Sequence, residues 1–325
     1  MMTENLLEFI AGLLLLIMGA ALLVRGAAVI KRRLGVPDFV IGLVLVGFAT
    51  SLPEIVIAGG AMAIGEPGLA MGTLIGSNIV NILLIPGLIA IALPLTVDRR
   101  ALGRDGIAML LASLALAGIA VAGQFDLLIG LLLLVGLLFY WATVVIDEHI
   151  HRGRGGRLYG ANAAAITPAG VHVRIGFGLA VLMLLGGAAA LLIGAGWLVE
   201  ATAGYAIDAG ISASLLGLTL IAIATSAPEL VTSVAAARRG HPALALGNVM
   251  GSNIFNILAG GGLVAAWGGA GGRFPADLAG IDMLVLAGAA VLFLIFIATE
   301  RCLNRLEGAV LVLLYGGYLG WRLLG

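Results

Sequence analysis

Long apolar runs separated by short polar connections dominate this sequence. The hydrocarbon core of a bilayer is crossed by about 20 apolar residues of α-helix, and ten such runs fit within the chain. The runs are continuous and do not alternate with period 2, which excludes an outer-membrane β-barrel. The pattern predicts an all-α integral membrane protein with ten transmembrane helices. The predicted helices are 5–30, 37–60, 68–92, 103–122, 126–146, 175–200, 212–236, 242–267, 279–298 and 307–323.

The basic residues indicate how these helices are oriented. If the amino terminus faces outside, the odd-numbered connections face the cytoplasm and contain all but two, Arg273 and Arg322, of the 17 Lys and Arg residues. Lys and Arg in short loops favour the cytoplasmic side, whereas Asp and Glu contribute little. The sequence therefore predicts that both termini lie outside and that the long connection 147–174 is cytoplasmic.

The amino-acid composition is typical of a membrane protein, and the net charge limits the classes of partner to be expected. Of the 325 residues, 62% are hydrophobic and 10% are charged, against roughly 25% charged in soluble domains. The net charge of zero gives no indication of nucleic acid, and membrane lipid is the only macromolecular partner expected. The single cysteine, Cys302, excludes an intramolecular disulfide or a cysteine-based metal site. Glu4 and Glu8 stand where a signal peptide is positively charged, so we expect a retained first helix in a prokaryotic plasma membrane.

An internal duplication is the strongest feature of the chain. Residues 42–54, GLVLVGFATSLPE, match 217–229, GLTLIAIATSAPE, and residues 67–83, PGLAMGTLIGSNIVNIL, match 242–258, PALALGNVMGSNIFNIL. Both matches have the same offset. The chain thus divides into a first repeat, 1–146, with its motif at 42–83, and a second repeat, 175–325, with its motif at 217–258. Each has five helices, and an odd number inverts the second repeat, as in many secondary transporters.

Two glutamates are the only carboxylates deep inside predicted helices. Glu54 and Glu229 occupy equivalent repeat positions, and a charged residue within a membrane usually lines an internal polar site. In a helix, residues three or four positions apart lie on the same face. Each glutamate therefore shares a polar stripe with residues one and two turns earlier. The stripes are Gly47, Thr50, Ser51 and Glu54 in one repeat, and Ala222, Thr225, Ser226 and Glu229 in the other. Pro53 and Pro228 remove backbone hydrogen bonds nearby, and a bound cation would satisfy the freed carbonyls.

A second pair of polar positions adds oxygen ligands. Ser77 and Asn81 are four residues apart in the third helix, and Ser252 and Asn256 repeat them in the eighth. Carboxylate, hydroxyl, amide and carbonyl oxygens suit hard cations such as Ca²⁺, and softer metals prefer imidazole or thiolate. Two glutamates would neutralise one Ca²⁺ or two monovalent cations. The sequence predicts a hard-cation site without a cofactor.

Other polar residues are given structural roles. Asn78 and Asn253 point off the stripe, so we expect them to bond to the backbone. The acidic residues near helix ends are expected to be solvated; these are Asp98, Asp105, Asp277 and Asp282.

The paired motifs GxxxxxxATSxPE and GSNIxNI resemble the α-repeats of the calcium/cation antiporter superfamily, and most closely its prokaryotic sodium/calcium exchangers. The resemblance covers essentially the whole chain and implies a central group of ion sites between the second, third, seventh and eighth helices. It implies that Glu54 and Glu229 bind calcium, with Thr50 and Thr225 contributing carbonyls and Asn81 and Asn256 completing the site. The implied sodium ligands are Ser51, Ser77, Ser226 and Ser252, with the carbonyls of Gly47 and Ala222.

The resemblance also implies a mechanism, in which sodium and calcium compete for one midplane site that is exposed alternately to either side. The first and sixth helices would slide across the core, helped by small residues. These are Gly19, Ala20, Ala21, Gly194, Ala195 and Gly196.

The coupling ion is open at this point. Asn256 stands where some exchangers have Asp, which affects stoichiometry and potassium dependence, while TSLPE and TSAPE favour sodium over protons. The alternative is a proton- or potassium-coupled cation antiporter on the same fold. A passive channel is disfavoured because no pore ring forms from inverted repeats in one chain. An enzyme is disfavoured because the serine stripes lack a His or Lys base.

Overall fold

The structure is a computed structural model that describes residues 2–34, 48–97, 102–150, 176–238, 240, 242–268 and 272–324. Helices account for most of these residues, and each of the ten predicted helices is present. They are α1 (Met2–Leu34), α2 (Phe48–Ala63), α3 (Pro67–Ala92), α4 (Leu102–Ala122), α5 (Leu127–Ile150), α6 (Phe177–Ala209), α7 (Ala213–Arg238), α8 (Pro242–Trp267), α9 (Ile281–Glu300) and α10 (Arg305–Leu324). The predicted beginning of the second helix and most of the connection 147–174 lie outside the described residues.

Within the described residues, seven helices, α3 to α9, are long and apolar enough to cross a membrane. Shorter apolar stretches, Leu6–Gly19 and Thr50–Ala63, lie within α1 and α2. Many large apolar side chains on the outer helices are exposed, including Leu128, Phe139 and Leu284. Exposed apolar surface of this extent is typical of contact with lipid. The protein is a multi-pass membrane protein.

Helices α1 and α6 pack closely and run in opposite directions. A β-carbon on Gly12 would lie 2.7 Å from the carbonyl oxygen of Gly194, and one on Gly19 would lie 2.8 Å from that of Gly187. These two contacts exchange under the repeat offset, because Gly12 corresponds to Gly187 and Gly19 to Gly194. The predicted close approach is confirmed at Gly19 and Gly194, but Ala21 is exposed, so its expected role in that contact was wrong.

The remaining packing follows the same inverted symmetry. Helix α5 packs against α8, and its counterpart α10 packs against α3. After α3, strand β1 (Leu95–Thr96) pairs antiparallel with β2 (Cys302–Leu303), which connects α9 to α10, with Leu95 opposite Leu303. At the other end of α4, Gln124 forms an antiparallel bridge with Arg273. These two pairings are repeat counterparts at opposite ends of one helix, as an inverted repeat requires. The apolar pattern did not predict them.

Asp105 is buried, so the prediction that it is a solvated helix end was wrong. Its side chain accepts a hydrogen bond from Tyr140, at 3.2 Å, and pairs with Arg104, at 2.6 Å from Nε to Oδ1. Arg104 also reaches Asp147 at the end of α5, at 2.9 Å. Burial is tolerated because the carboxylate is paired and hydrogen-bonded.

Asp282, in the second repeat, was also predicted to be a solvated helix end, and this prediction was wrong. It is fully buried, accepts a hydrogen bond from Tyr318 at 2.7 Å, and lies 3.2 Å from Nε of Arg322. Arg322 is the repeat counterpart of Asp147. The pairs Arg104–Asp147 and Asp282–Arg322 therefore join equivalent helix ends, but the acidic and basic partners are interchanged. Asp277 is exposed as predicted, and Asp98 lies outside the described residues.

Candidate ion-binding site

Four helices meet at the centre of the protein. Helix α3 packs against α2 and α7, and α8 packs against α2 and α7 in turn. Helices α3 and α8 are the most buried of the spans, because their polar residues face inward and their apolar residues contact neighbouring helices on every side. This arrangement brings the two duplicated motifs together from opposite directions.

The described members of the predicted ligand set are all buried at this centre. Glu54, Glu229, Ser51, Ser77 and Ser252 have no exposed surface, and Thr50 is the most exposed at 6%. The buried set is Thr50, Ser51, Glu54, Ser77, Asn81, Ala222, Thr225, Ser226, Glu229, Ser252 and Asn256. Gly47 lies outside the described residues.

The two glutamates lack the partners that buried carboxylates normally have. Neither oxygen of Glu54 accepts a hydrogen bond of standard geometry, although the hydroxyls of Ser77 and Thr225 lie beside it, and Oε2 of Glu229 also lacks one. The remaining oxygen of Glu229 accepts only a long hydrogen bond from Ser252, at 3.4 Å. The two carboxylates are close enough to interact electrostatically. A buried, unpaired carboxylate is costly, and a cation bound at this pair would offset that cost.

Hydroxyl groups from one repeat meet hydroxyl groups from the other around these glutamates. Thr50 Oγ1 lies 3.1 Å from Ser252 Oγ, and the repeat counterparts Ser77 Oγ and Thr225 Oγ1 lie 3.3 Å apart. Ser51 donates a hydrogen bond to the backbone carbonyl of Ser252, at 3.5 Å. The structure therefore joins both stripes and both serine–asparagine pairs into one polar cluster.

Backbone irregularities lie beside the cluster. A π-helical segment, Val80–Leu84, includes Asn81, and another, Asn256–Gly261, begins at Asn256. Helix-weakening residues, Pro86 in α3 and the glycines at 260–262 in α8, lie at the same repeat positions and are the sequence signal for these segments. Helix α7 is interrupted at Ser226 (φ −77°, ψ 1°), next to Pro228. In contrast, α2 continues through Pro53, so the expected disruption is visible in one repeat.

The four motif asparagines fall into two classes. Asn78 Nδ2 donates to the Leu74 carbonyl at 2.6 Å, and Asn253 Nδ2 donates to the Val249 carbonyl at 2.7 Å, which confirms the predicted backbone bonds. The amide nitrogens and oxygens of Asn81 and Asn256 are buried without hydrogen-bond partners. Oδ1 is free in all four side chains, so the two classes differ in the amide nitrogen, which holds Asn78 and Asn253 to the backbone and leaves Asn81 and Asn256 unattached.

Sequence reasoning missed a polar group adjoining the cluster. Asn248 Nδ2 donates to Thr232 Oγ1 at 3.0 Å and to Ser233 Oγ at 3.1 Å. Its Oδ1 accepts a hydrogen bond from Thr50 at 3.5 Å. The sequence feature that could have revealed Asn248 is a difference between the two repeats, since Thr73 occupies the equivalent position in the first motif.

The chemistry of the cluster is that of oxygen ligands. Within the described part of the chain, no three His, Cys, Asp or Glu side chains lie together, so hydroxyl, amide and carbonyl oxygens must complete any coordination sphere that begins with the two glutamates. Such sets favour hard cations. The geometry and charge thus suit binding of Ca²⁺ or of monovalent cations.

Comparisons with known proteins show the family to which the chain belongs. The family model described as "sodium/calcium exchanger protein" matches residues 5–146 and again residues 179–324, one match for each repeat. The sodium/calcium exchanger MaX1 of Methanosarcina acetivorans is 31% identical, with 98% of each chain covered. The inner membrane protein YrbG of Escherichia coli is 35% identical over 77% of this chain and 75% of that protein.

A solved structure shares the fold. The sodium-calcium exchanger NCX_Mj, soaked with 100 mM Na⁺ and 10 mM Sr²⁺, superposes with a TM-score of 0.65 at 30% sequence identity. The match covers 98% of this chain and 99% of that one. The two-fold family match and this shared architecture place the chain in the sodium/calcium exchanger family of cation antiporters.

Proposed function

We propose that this protein exchanges sodium for calcium across the membrane at one site between α2, α3, α7 and α8. The observation that carries the proposal is the pair of fully buried glutamates, of which Glu54 has no hydrogen-bond partner and Glu229 has one. Bound cations would compensate the charge of two such carboxylates. One Ca²⁺ or two monovalent ions would neutralise the pair, and this equivalence supports competition between the two loads.

Each side chain of the cluster has a role in this proposal. Glu54 and Glu229 bind calcium from opposite sides, and Thr50, Thr225, Asn81 and Asn256 complete the site with carbonyl and amide oxygens. The serine hydroxyls and the carbonyls at positions 47 and 222 bind sodium. The serines are Ser51, Ser77, Ser226 and Ser252. The names of the relatives, among them a sodium/calcium exchanger, support the choice of ions.

Alternating access follows from the inverted repeats. Opening to one side and opening to the other are related by exchanging the roles of the two repeats, 1–146 and 175–325. The close glycine contacts hold α1 and α6 against each other. In this proposal the two helices slide together across the core. Two charged, empty glutamates would oppose the transition, so transport is obligatory exchange. Both termini face outside, and the connection 147–174 is cytoplasmic.

Transport in reconstituted vesicles tests this function. Sodium-loaded vesicles are diluted into sodium-free medium, and the uptake of radiolabelled calcium is followed. Lithium, potassium and proton gradients serve as controls. We expect uptake with the outward sodium gradient alone. Uptake driven by protons or potassium would replace sodium as the coupling ion, and absence of calcium uptake under every gradient would refute calcium as the substrate.

The two classes of asparagine give a test of the ligand set. Asn81→Ala and Asn256→Ala remove free amide oxygens, and we expect them to weaken calcium binding by about tenfold, the equivalent of one charge-assisted interaction. Asn78→Ala and Asn253→Ala remove amides that are held to the backbone of their own helix through Nδ2, and should change affinity by less than about threefold. Isothermal titration calorimetry of the purified variants measures both. Equal losses from all four substitutions would contradict the assignment.

A further inference from the structure

A continuous string of polar groups leaves the ion site on one side only. From Glu229, side-chain contacts within hydrogen-bonding distance lead to Ser252 (3.4 Å), then to Thr50 (3.1 Å), and from Thr50 to Asn248 (3.5 Å). The two hydroxyl hydrogens of Ser252 and Thr50 fill two of these three contacts at a time. Asn248 continues the string to Thr232, at 3.0 Å, with Ser233 beside it at 3.1 Å. Each step is a side-chain oxygen or amide, so the string provides successive partners for a cation or water molecule.

Among the described residues, the first repeat has no equivalent string. Its hydroxyl pair, Ser77 and Thr225, corresponds to Ser252 and Thr50. Beyond this pair, the counterparts of Thr232 and Ser233 are Ile57 and Ala58, which are apolar and buried. Thr73, the counterpart of Asn248, donates its hydroxyl to the Leu69 carbonyl of its own helix, at 2.9 Å. The route therefore ends at the hydroxyl pair in the first repeat.

The string points toward the connection between α7 and α8. Thr232 and Ser233 lie one turn beyond Glu229 in the direction of Arg238, where α7 ends. Thr232 is partly exposed, whereas its counterpart Ile57 has no exposed surface. The polar groups thus extend from the central glutamates to a partly exposed position on the side of the α7–α8 connection. The distribution of basic residues predicts that this face is cytoplasmic.

We propose that Thr232, Ser233 and Asn248 form a hydrated cation route that leads from the α7–α8 face to the ion site, and that their described counterparts in the first repeat form no matching route. This inference rests on the proposed function for the identity of the ions. It makes the two sides of the transporter unequal in spite of the inverted repeat. The alternative is that Asn248 only holds α7 to α8, as buried amides do between membrane helices.

Thiol accessibility distinguishes a route from a structural bond. Because Cys302 is the only cysteine of the chain, a Cys302→Ser background accepts single reporter cysteines. Thr232→Cys and Ser233→Cys report on the string, Ile57→Cys and Ala58→Cys are matched controls from the other repeat, and Arg238→Cys marks the face. Membrane-impermeant methanethiosulfonate is applied to each face of vesicles that contain folded variants, which are first verified by gel filtration.

We expect the reporters in the string to react from the face at which Arg238→Cys reacts. Their rates should exceed those of both controls by at least about tenfold, because a thiol in dry apolar surroundings is unreactive. Similar rates in the two repeats, or no reaction of either string reporter, would overturn the proposal. This readout does not require transport, so a failure of calcium exchange would refute the proposed function separately.

The substitution Asn248→Thr gives a second test, because it introduces the residue type that the first repeat has at the equivalent position, Thr73. We expect the half-saturating calcium concentration at the α7–α8 face to rise by about threefold to tenfold, the cost of one lost hydrogen-bonding partner. The value at the opposite face should remain unchanged. An equal rise at both faces would show that the substitution acts on the central site, and would overturn the route.

Discussion

Replacing Glu54 or Glu229 by glutamine is expected to abolish ion exchange. Each substitution preserves size and removes one of two buried charges that face each other across the repeats. Removing one partner from a buried ion pair costs about 3–5 kcal/mol, which corresponds to a loss of at least about 100-fold in calcium affinity. Sodium binding should also fall, because the same carboxylates serve both ions. Double replacement should leave no measurable uptake.

Calcium uptake into sodium-loaded vesicles and calorimetric titration measure this effect. Glu66→Gln is the matched control, because Glu66 precedes α3, is partly exposed and forms no side-chain capping hydrogen bond. The control should transport at the normal rate. If Glu54→Gln retained sodium-driven calcium uptake at the normal rate, both the proposed site and the competition between ions would be wrong.

Gly76→Ala is expected to disrupt the centre of the fold. A β-carbon on Gly76 would overlap the Leu218 carbonyl oxygen and lie 2.7 Å from Cβ of Ala222. Because the obstacle is largely the backbone of α7, neither helix can yield by moving a side chain. Overpacking typically costs 1–3 kcal/mol and occasionally more. We expect a loss of about 3 kcal/mol, which lowers the midpoint of thermal unfolding by roughly 5–10 °C.

The thermal unfolding of the purified protein in detergent, followed by circular dichroism, measures this loss. Gly72→Ala should act in the same direction, since its β-carbon would overlap the Ser214 carbonyl oxygen. Gly118→Ala in α4 is the control, because Gly118 is exposed and has no described neighbour within 4 Å of the added carbon. Equal stability of Gly76→Ala and Gly118→Ala would refute the close packing of α3 on α7.

The number and limits of the helices were predictable from local pattern. Where both ends are described, a predicted limit mostly differs by a few residues from the structure, and α8 begins at Pro242 and ends at Trp267 as predicted. The limits are predictable because each membrane-spanning helix needs a long apolar run and polar residues mark its ends. The largest difference is at α6, which ends at Ala209 and not at residue 200 as expected.

Other features depended on contacts between distant parts of the chain. Asp282 looked like a solvated helix end because the residues that compensate it, Tyr318 and Arg322, are about 40 positions away in sequence. The π-helical segments depend on packing in the centre, although Pro86 weakens the helix there. Asn248 appeared as a minor difference between two matching motifs, and its role became visible only when Thr50 was found beside it.

By itself, the sequence determined the class of protein, the inverted duplication and the oxygen chemistry of the motifs. These properties are local or periodic, so composition, spacing and the repeat offset express them directly. The tertiary structure alone decided which groups face one another: Thr50 with Ser252, Ser77 with Thr225, and Asn248 with Thr232. It also decided that the two repeats differ beyond the ion site. The physical reason is that such contacts arise from the packing of helices that are far apart in the chain, and one repeat cannot specify them without the other.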